Sequence, residues 1–131
     1  SIFDEIITGT QRNSIDRRRE EAALKELYDW AGSFPKLTRE EERNLSFIIQ
    51  NGREEDGRAA VNTFIRSNLR LVYKITMYYF RTSFTNGLKK LELFNEGVMA
   101  LERAALRYDA VNFPNVPFSS YAATCSGALF P

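Results

Sequence analysis

Hydrophobic residues recur every three or four positions along most of this chain, which is the spacing of helices that bury one face. The pattern predicts five helices, over about 16–31, 38–50, 54–80 and 89–108 and from about 119 onward. No segment alternates polar and apolar residues with period two, as a half-buried strand would. We therefore predict an all-α fold, a compact bundle of about four to five helices.

Local signals mark the ends of these helices. Thr38 and Glu41 form the capping-box pattern, in which each side chain accepts a hydrogen bond from the backbone N–H of the other residue. The pair Asn51–Gly52 is expected to end this helix, since both residue types tolerate the left-handed conformation. The acidic residues 40–42 are interpreted as a solvated helix start that the helix dipole favours.

The segment 89–108 has the clearest amphipathic pattern. Its apolar row consists of Leu91, Phe94, Val98, Leu101, Ala105 and Tyr108. We expect Phe94, Val98 and Leu101 to pack on the long predicted helix, at Val72 and Ile75. The opposite side of the segment is then free to face solvent or a partner.

The composition fits one ordinary globular domain. Of 131 residues, 44% are hydrophobic and 27% are charged, enough for a core without metal or disulfide support. The single cysteine, Cys125, cannot form an internal disulfide, which indicates a reducing compartment such as the cytoplasm. No run of about 18 apolar residues and no signal peptide is recognisable, so we expect no membrane association. We interpret both ends, Ser1 and Pro131, as cuts in a longer protein.

The sequence lacks the residue types of common catalytic and metal sites. It contains no histidine, which is the commonest general base and metal ligand. It has no cysteine pair for zinc and no glycine-rich loop for a phosphate. We therefore expect neither an enzyme nor a bound cofactor or metal.

The net charge of +1 conceals a segregation of charge. Residues 57–91 contain seven Lys or Arg and no Asp or Glu. Within this segment Arg66, Arg70 and Lys74 are spaced four apart and should share one helix face. The patch is extended by Arg81, Lys89 and Lys90. This face is either an ordinary solvated surface or a binding site for a polyanion, which would offset the repulsion between its charges.

A second polar face lies on the predicted helix 89–108. Glu92, Asn95, Glu96 and Met99 fall at positions i, i+3, i+4 and i+7, on one side of the helix. This acidic face either keeps the chain in solution or docks a partner rich in Arg or Lys.

Three aromatic residues flank and open the last predicted helix. They are Phe113, Phe118 and Tyr121, in a stretch without positive charge. These side chains either pack inward or form a platform on which unpaired bases stack.

Four motifs follow one another in a recognisable order. They are LTREEE at 37–42, NLRLV at 68–72, LELFNEG at 91–97 and FSSYA at 118–122. In this order and with nearly this spacing they resemble the central, core-polymerase-binding domain of bacterial-type sigma factors. The resemblance implies a domain over 28–131, truncated in its last helix. Residues 1–27 would then be an N-terminal extension with the start of the first helix.

The resemblance implies a partner for the acidic face. Glu92, Asn95 and Glu96 fall on the family's docking surface for the clamp helices of the largest RNA polymerase subunit, and Met99 extends that face. Core RNA polymerase is therefore the expected protein partner. An anti-sigma factor or another regulator is a further expected partner.

The resemblance also implies contacts to single-stranded, non-template promoter DNA. Asn68 and Leu71 fall where family members form a pocket for an unpaired base. Tyr121 falls on the aromatic residue that stacks on a flipped base of the upstream promoter hexamer. The remaining residues of the expected DNA-binding set are Arg66, Arg70, Lys74, Phe118 and Thr124.

Departures from the family pattern leave the function open. Thr124 and Cys125 stand where the family has a tryptophan pair, and the loop 110–117 is longer than usual and lacks Arg and Lys. Divergent sigma factors, such as those of T4-type phages, also lose the tryptophans and carry a proline before this helix, where this chain has Pro117. The chain is interpreted as a transcription initiation factor domain. The alternatives are a sigma-like regulator that binds polymerase without opening DNA and an unrelated helical protein-interaction module.

Overall fold

A computed structural model of the chain describes residues 17–82 and 90–125. These residues form six α-helices and no strand, which confirms the predicted all-α class. The helices are α1 (Arg17–Ala31), α2 (Arg39–Asn51), α3 (Glu54–Ser67), α4 (Leu69–Thr82), α5 (Lys90–Arg107) and α6 (Phe118–Thr124). None of these helices combines the length and apolar composition needed to cross a membrane. The expectations for residues 1–16, for residues 83–89, which include Lys89, and for the last helix beyond 125 lie outside the described residues.

Asn68 divides the predicted helix 54–80 into α3 and α4. The Asn68 Nδ2 donates to the carbonyl of Phe64 at 2.8 Å, and its backbone N–H donates to the carbonyl of Ile65 at 3.1 Å. The side chain thus takes a carbonyl that the helical backbone would otherwise use, and the chain turns at φ −122° and ψ 11°. The prediction of one continuous helix is therefore wrong, and the bundle has one helix more than expected.

Neighbouring residues set both ends of α2. Thr38 Oγ1 accepts the N–H of Glu41 at 3.1 Å, and Glu41 Oε1 accepts the N–H of Thr38 at 3.0 Å, so the capping box is confirmed. Gly52 follows the helix as expected, but its φ of −84° is not left-handed. Glycine is instead required for space, because a Cβ there would lie 2.7 Å from the carbonyl oxygen of Ile48.

The main hydrophobic core lies between α5 and the helices packed around it. Val72 of α4 belongs to the same buried cluster as Phe94 and Leu101 of α5, and the two helices pack on each other, in agreement with the predicted packing of α5 on this helix. Ile75 instead packs in a smaller cluster beside Leu93. Helix α1 packs on α4 and α5, and it contributes to the same main core.

Three aromatic rings anchor the junction of α5 and α6. The ring of Phe64 lies 4.5 Å from that of Phe118 and 5.8 Å from that of Tyr108, measured between centroids. The rings of Tyr108 and Phe118 are 5.2 Å apart, and all three side chains are buried. A helix as short as α6 is not stable alone, so these contacts hold it in place.

Candidate nucleic-acid and partner-binding surfaces

A cleft of about 370 Å³ opens beside the break between α3 and α4. It brings together Asn68, Arg70, Leu71 and Lys74 from the expected DNA-binding set. Other segments complete its wall with Tyr28, Lys36, Leu37, Glu42 and Ser119. The cleft therefore combines apolar and cationic side chains from parts of the chain that are distant in sequence.

Arg70 is held by the end of α1. Its guanidinium carbon lies 4.2 Å from the ring centroid of Tyr28, and its Nε donates to the Tyr28 carbonyl at 3.2 Å. Gly32 leaves the space for this guanidinium, since a Cβ there would overlap it. A cation at this position also meets the negative end of the α1 dipole. Arg70 therefore joins α1 to α4, in addition to lining the cleft.

Arg66 lies outside this cleft. It belongs to α3, before the break at Asn68, and its guanidinium carbon is 6.0 Å from the ring centroid of Phe34. Arg70 and Lys74 belong to α4 and line the cleft. Arg66 and the two cations of α4 therefore lie on separate helices, because the helix that was expected to carry all three is interrupted at Asn68.

Glu42 lies in the cleft wall and is buried, unlike the two acidic residues before it. Its Oε1 accepts the backbone N–H of Phe118 at 3.2 Å. Burial raises the pKa of Glu42 above its usual value, although this hydrogen bond and the charge of Arg39 act in the opposite direction. The interpretation of a solvated helix start is therefore wrong for Glu42, which instead forms a hydrogen bond with the first residue of α6.

One face of α2 binds the segment that connects α5 to α6. We define Arg39, Glu42, Ser46 and Gln50 as the polar face of α2. Ser46 Oγ donates to the carbonyl of Tyr108 at 3.0 Å and accepts the N–H of Ala110 at 3.0 Å. Arg39 donates to the carbonyl of Pro114. The spacing of these polar residues is visible in the sequence, but a solvated face has the same spacing, so the sequence does not reveal these contacts.

Phe118 is fully buried in the aromatic cluster and has no ring face available to a base. The expectation that Phe118 belongs to a stacking platform is therefore corrected, because its ring instead holds α6 on the core. Phe113, in the preceding loop, is 64% exposed. The aromatic residues around α6 thus divide between core and surface.

Tyr121 and Thr124 lie on more accessible positions of α6. Tyr121 is partly buried, and its ring centroid lies 5.6 Å from that of Tyr108. Burial raises the pKa of Tyr121, and Cys125 beside it raises it further. Thr124 is exposed, and its Oγ1 donates to the carbonyl of Ser120 at 2.9 Å. Helix α6 therefore presents a partly exposed ring and a hydroxyl that is already bonded to the backbone.

The acidic face lies on the outer side of α5. Glu96 and Met99 are exposed, Met99 by 46%, whereas Glu92 and Asn95 are partly buried. The Nδ2 of Asn95 lies 3.9 Å from the sulfur of Met99, one turn further along the helix. The four residues thus form one continuous surface, which faces away from the core row of α5.

Within the described residues, no three side chains of His, Cys, Asp or Glu are grouped so that they could hold a metal ion. The cleft beside Asn68 and the acidic face of α5 bring together most of the residues that were expected to bind DNA or polymerase. No family model matches this chain, and no solved structure matches it significantly.

Proposed function

We propose that this chain is the core-polymerase-binding domain of a sigma-type transcription initiation factor, which acts in the cytoplasm and catalyses no reaction. In this proposal it docks on the clamp helices of RNA polymerase and contacts single-stranded, non-template promoter DNA. The observation that carries the proposal is the cleft at the α3–α4 break, where Asn68 and Leu71 lie beside Lys74.

The chemistry of the cleft suits an unpaired base. Leu37 and Leu71 supply apolar surface for the faces of a base. The side-chain amide of Asn68 can accept a hydrogen bond from the edge of a base through Oδ1, while its Nδ2 is bonded to the backbone. Lys36 and Lys74 bring positive charge to the adjacent phosphates.

The acidic face of α5 supports the docking part of the proposal. Carboxylates such as that of Glu96 form charge-assisted hydrogen bonds with Arg and Lys of a partner. Met99 adds an exposed, flexible apolar side chain that adapts to an opposing surface. A partner with a basic, partly apolar surface would therefore match this face.

Affinity for core RNA polymerase tests the docking part. Glu92→Lys combined with Glu96→Lys should weaken core binding by about 2–3 kcal/mol, roughly a hundredfold. Glu26→Lys combined with Asp29→Lys is the matched control, because it changes the net charge equally on the exposed surface of α1. Circular dichroism checks that all variants are folded.

Three results would contradict the proposal or part of it. Unchanged core binding by the Glu92/Glu96 variant would show that the acidic face is not the docking surface. Equal weakening by both variants would show a general effect of charge. If the unmodified chain does not bind polymerase at all, the interaction-module alternative replaces the proposal.

A second candidate function is a sigma-like regulator that binds polymerase without opening DNA. The burial of Phe118 and the backbone bond of Thr124 favour this function. Both leave α6 with fewer groups that can stack on a base or form a hydrogen bond with it. Stacking one base on an aromatic ring gains about 1–3 kcal/mol, whereas extruding a base costs a few kcal/mol. The two functions are distinguished by the fluorescence of a labelled promoter duplex, which reports whether the two strands separate. Opening that depends on Tyr121 indicates an initiation factor, and polymerase binding without opening indicates a regulator.

A further inference from the structure

A second groove lies along the C-terminal half of α4. Its volume is about 680 Å³. It is lined by Tyr73, Lys74, Met77, Phe80, Arg81 and Lys90. The described residues in this lining thus include three cations and two aromatic rings but no carboxylate. The Nζ of Lys90 lies 5.0 Å from the ring centroid of Phe80, so cationic and aromatic groups are interleaved.

Lys74 lines both this second groove and the cleft at the α3–α4 break. Arg70, Lys74 and Arg81 are separated by four and seven residues, so they form one stripe along α4. From Asn68 to Arg81 the helix rises about 20 Å, the length of about six stacked nucleotides. The two cavities therefore follow one another along one helix and share a cationic boundary.

We propose that the second groove binds the continuation of the single strand whose first bases occupy the cleft. This inference rests on the proposed function, because the cleft anchors the strand. Cations interleaved with aromatic rings suit a single strand, in which phosphates and bases alternate. The ring of Tyr73 lies 4.9 Å from that of Tyr28, and Lys90 lies over the ring of Phe80. A base would extend these contacts, whereas an acidic peptide would pair with the cations alone.

The salt dependence of binding tests this inference. Each phosphate contact to a single strand adds about 0.7 to the slope of log affinity against log salt. The probe is an oligothymidylate of about eight nucleotides, which spans both cavities. It is titrated with the full chain at several salt concentrations. Arg81→Gln combined with Lys90→Gln should lower the slope by about 1.4 and weaken binding.

Three further variants serve as controls. Arg43→Gln combined with Arg58→Gln removes two exposed cations that line neither cavity, and it should leave the slope unchanged. Arg81→Lys combined with Lys90→Arg retains both charges and should retain the slope. Lys36→Gln alters the cleft without touching the second groove, so it reports on the cleft by itself.

Each outcome bears on a different part of the inference. If Lys36→Gln lowers the slope while the Arg81/Lys90 pair behaves like the Arg43/Arg58 pair, the second groove is not part of the path. If the chain binds no single strand at any salt concentration, the DNA part of the proposed function fails as well. If the Arg81/Lys90 pair weakens the binding of oligoglutamate as much as that of oligothymidylate, the groove binds acidic peptides and the inference is overturned.

Discussion

The carboxylate of Glu42 on α2 accepts a hydrogen bond from the backbone N–H of Phe118, the first residue of α6, at 3.2 Å. The first N–H groups of a helix have no partner within the helix. Pro117, which precedes α6, has no side-chain oxygen that could cap it. Glu42 therefore supplies the cap from another helix, and the position of Tyr121 on α6 depends on this contact.

Removal of the Glu42 carboxylate should destabilise the fold and loosen α6. Glu42→Ala leaves the buried N–H of Phe118 without its acceptor, at an expected cost of about 1–3 kcal/mol in the free energy of unfolding. Urea denaturation measures this cost, and hydrogen exchange should become faster at the Phe118 amide. Glu40→Ala is the control, since this exposed residue loses about 0.3–1 kcal/mol of dipole interaction. Unchanged exchange at Phe118 would contradict the capping role.

The pH dependence of stability should carry a contribution from Glu42. Burial raises the pKa of this carboxyl in the folded chain above its ordinary value of 4.5. The folded chain thus binds the proton more tightly than the unfolded chain, so the contribution is greatest below pH 4.5 and is lost as the pH rises through the folded pKa. Glu42→Gln removes the titrating carboxyl, so the denaturation midpoint of this variant should depend less on pH in this range. A profile identical to that of the parent would contradict this expectation.

The same substitution at two glycines should have opposite effects. Gly32→Ala should displace the Arg70 guanidinium from Tyr28, and because this guanidinium ends an exposed, flexible side chain the cost should be about 0.5–1 kcal/mol. Gly57→Ala lies within α3, where the nearest atom to a Cβ is 3.8 Å away, so it should stabilise by about 0.5–1 kcal/mol. Thermal denaturation shows whether each substitution raises or lowers the stability of the fold. If Gly32→Ala remains equally destabilising in an Arg70→Ala background, the cause is not the displacement of Arg70.

Thr76 carries a buried hydroxyl that finds no hydrogen-bond partner in the described part of the chain. Burial of an unpaired hydroxyl costs about 1–3 kcal/mol, and valine has nearly the same shape without this cost. Thr76→Val should therefore raise the thermal midpoint. Thr63→Val is the control, because the Oγ1 of Thr63 donates to the carbonyl of Ala59 at 3.0 Å and its loss should bring no gain. A lower midpoint for Thr76→Val would show that the hydroxyl is bonded.

Two leucines on α5 should respond differently to truncation. Leu101 is 1% exposed, and Leu101→Ala should cost about 2–5 kcal/mol because it opens a cavity in the core. Leu106 is 53% exposed on the same helix, and Leu106→Ala should change stability by less than about 0.5 kcal/mol. Urea denaturation of the two variants compares the costs directly. Similar values would show that the buried side of α5 has been assigned wrongly.

Local structure could be predicted from the sequence because it depends on neighbours in the chain. The capping box of Thr38 and Glu41 and the buried row of α5 follow from spacings of three and four residues. The break at Asn68 was missed although its cause is local. An Asn side chain can bond either to water or to a carbonyl one turn back, and the sequence does not show which bond forms.

The candidate site depends on contacts between residues that are distant in the chain. Glu42 and Phe118 are 76 residues apart, and Arg70 and Tyr28 are 42 residues apart. A polar residue has the same sequence pattern whether water or another helix covers it, and an aromatic residue at the start of a helix fits either a core or a surface. The sequence alone therefore established the helices, apart from the break at Asn68, and their apolar faces. The packing of the helices decided that Lys74 lines a cleft and that the ring of Phe118 lies in the core, since burial depends on what the rest of the chain places nearby.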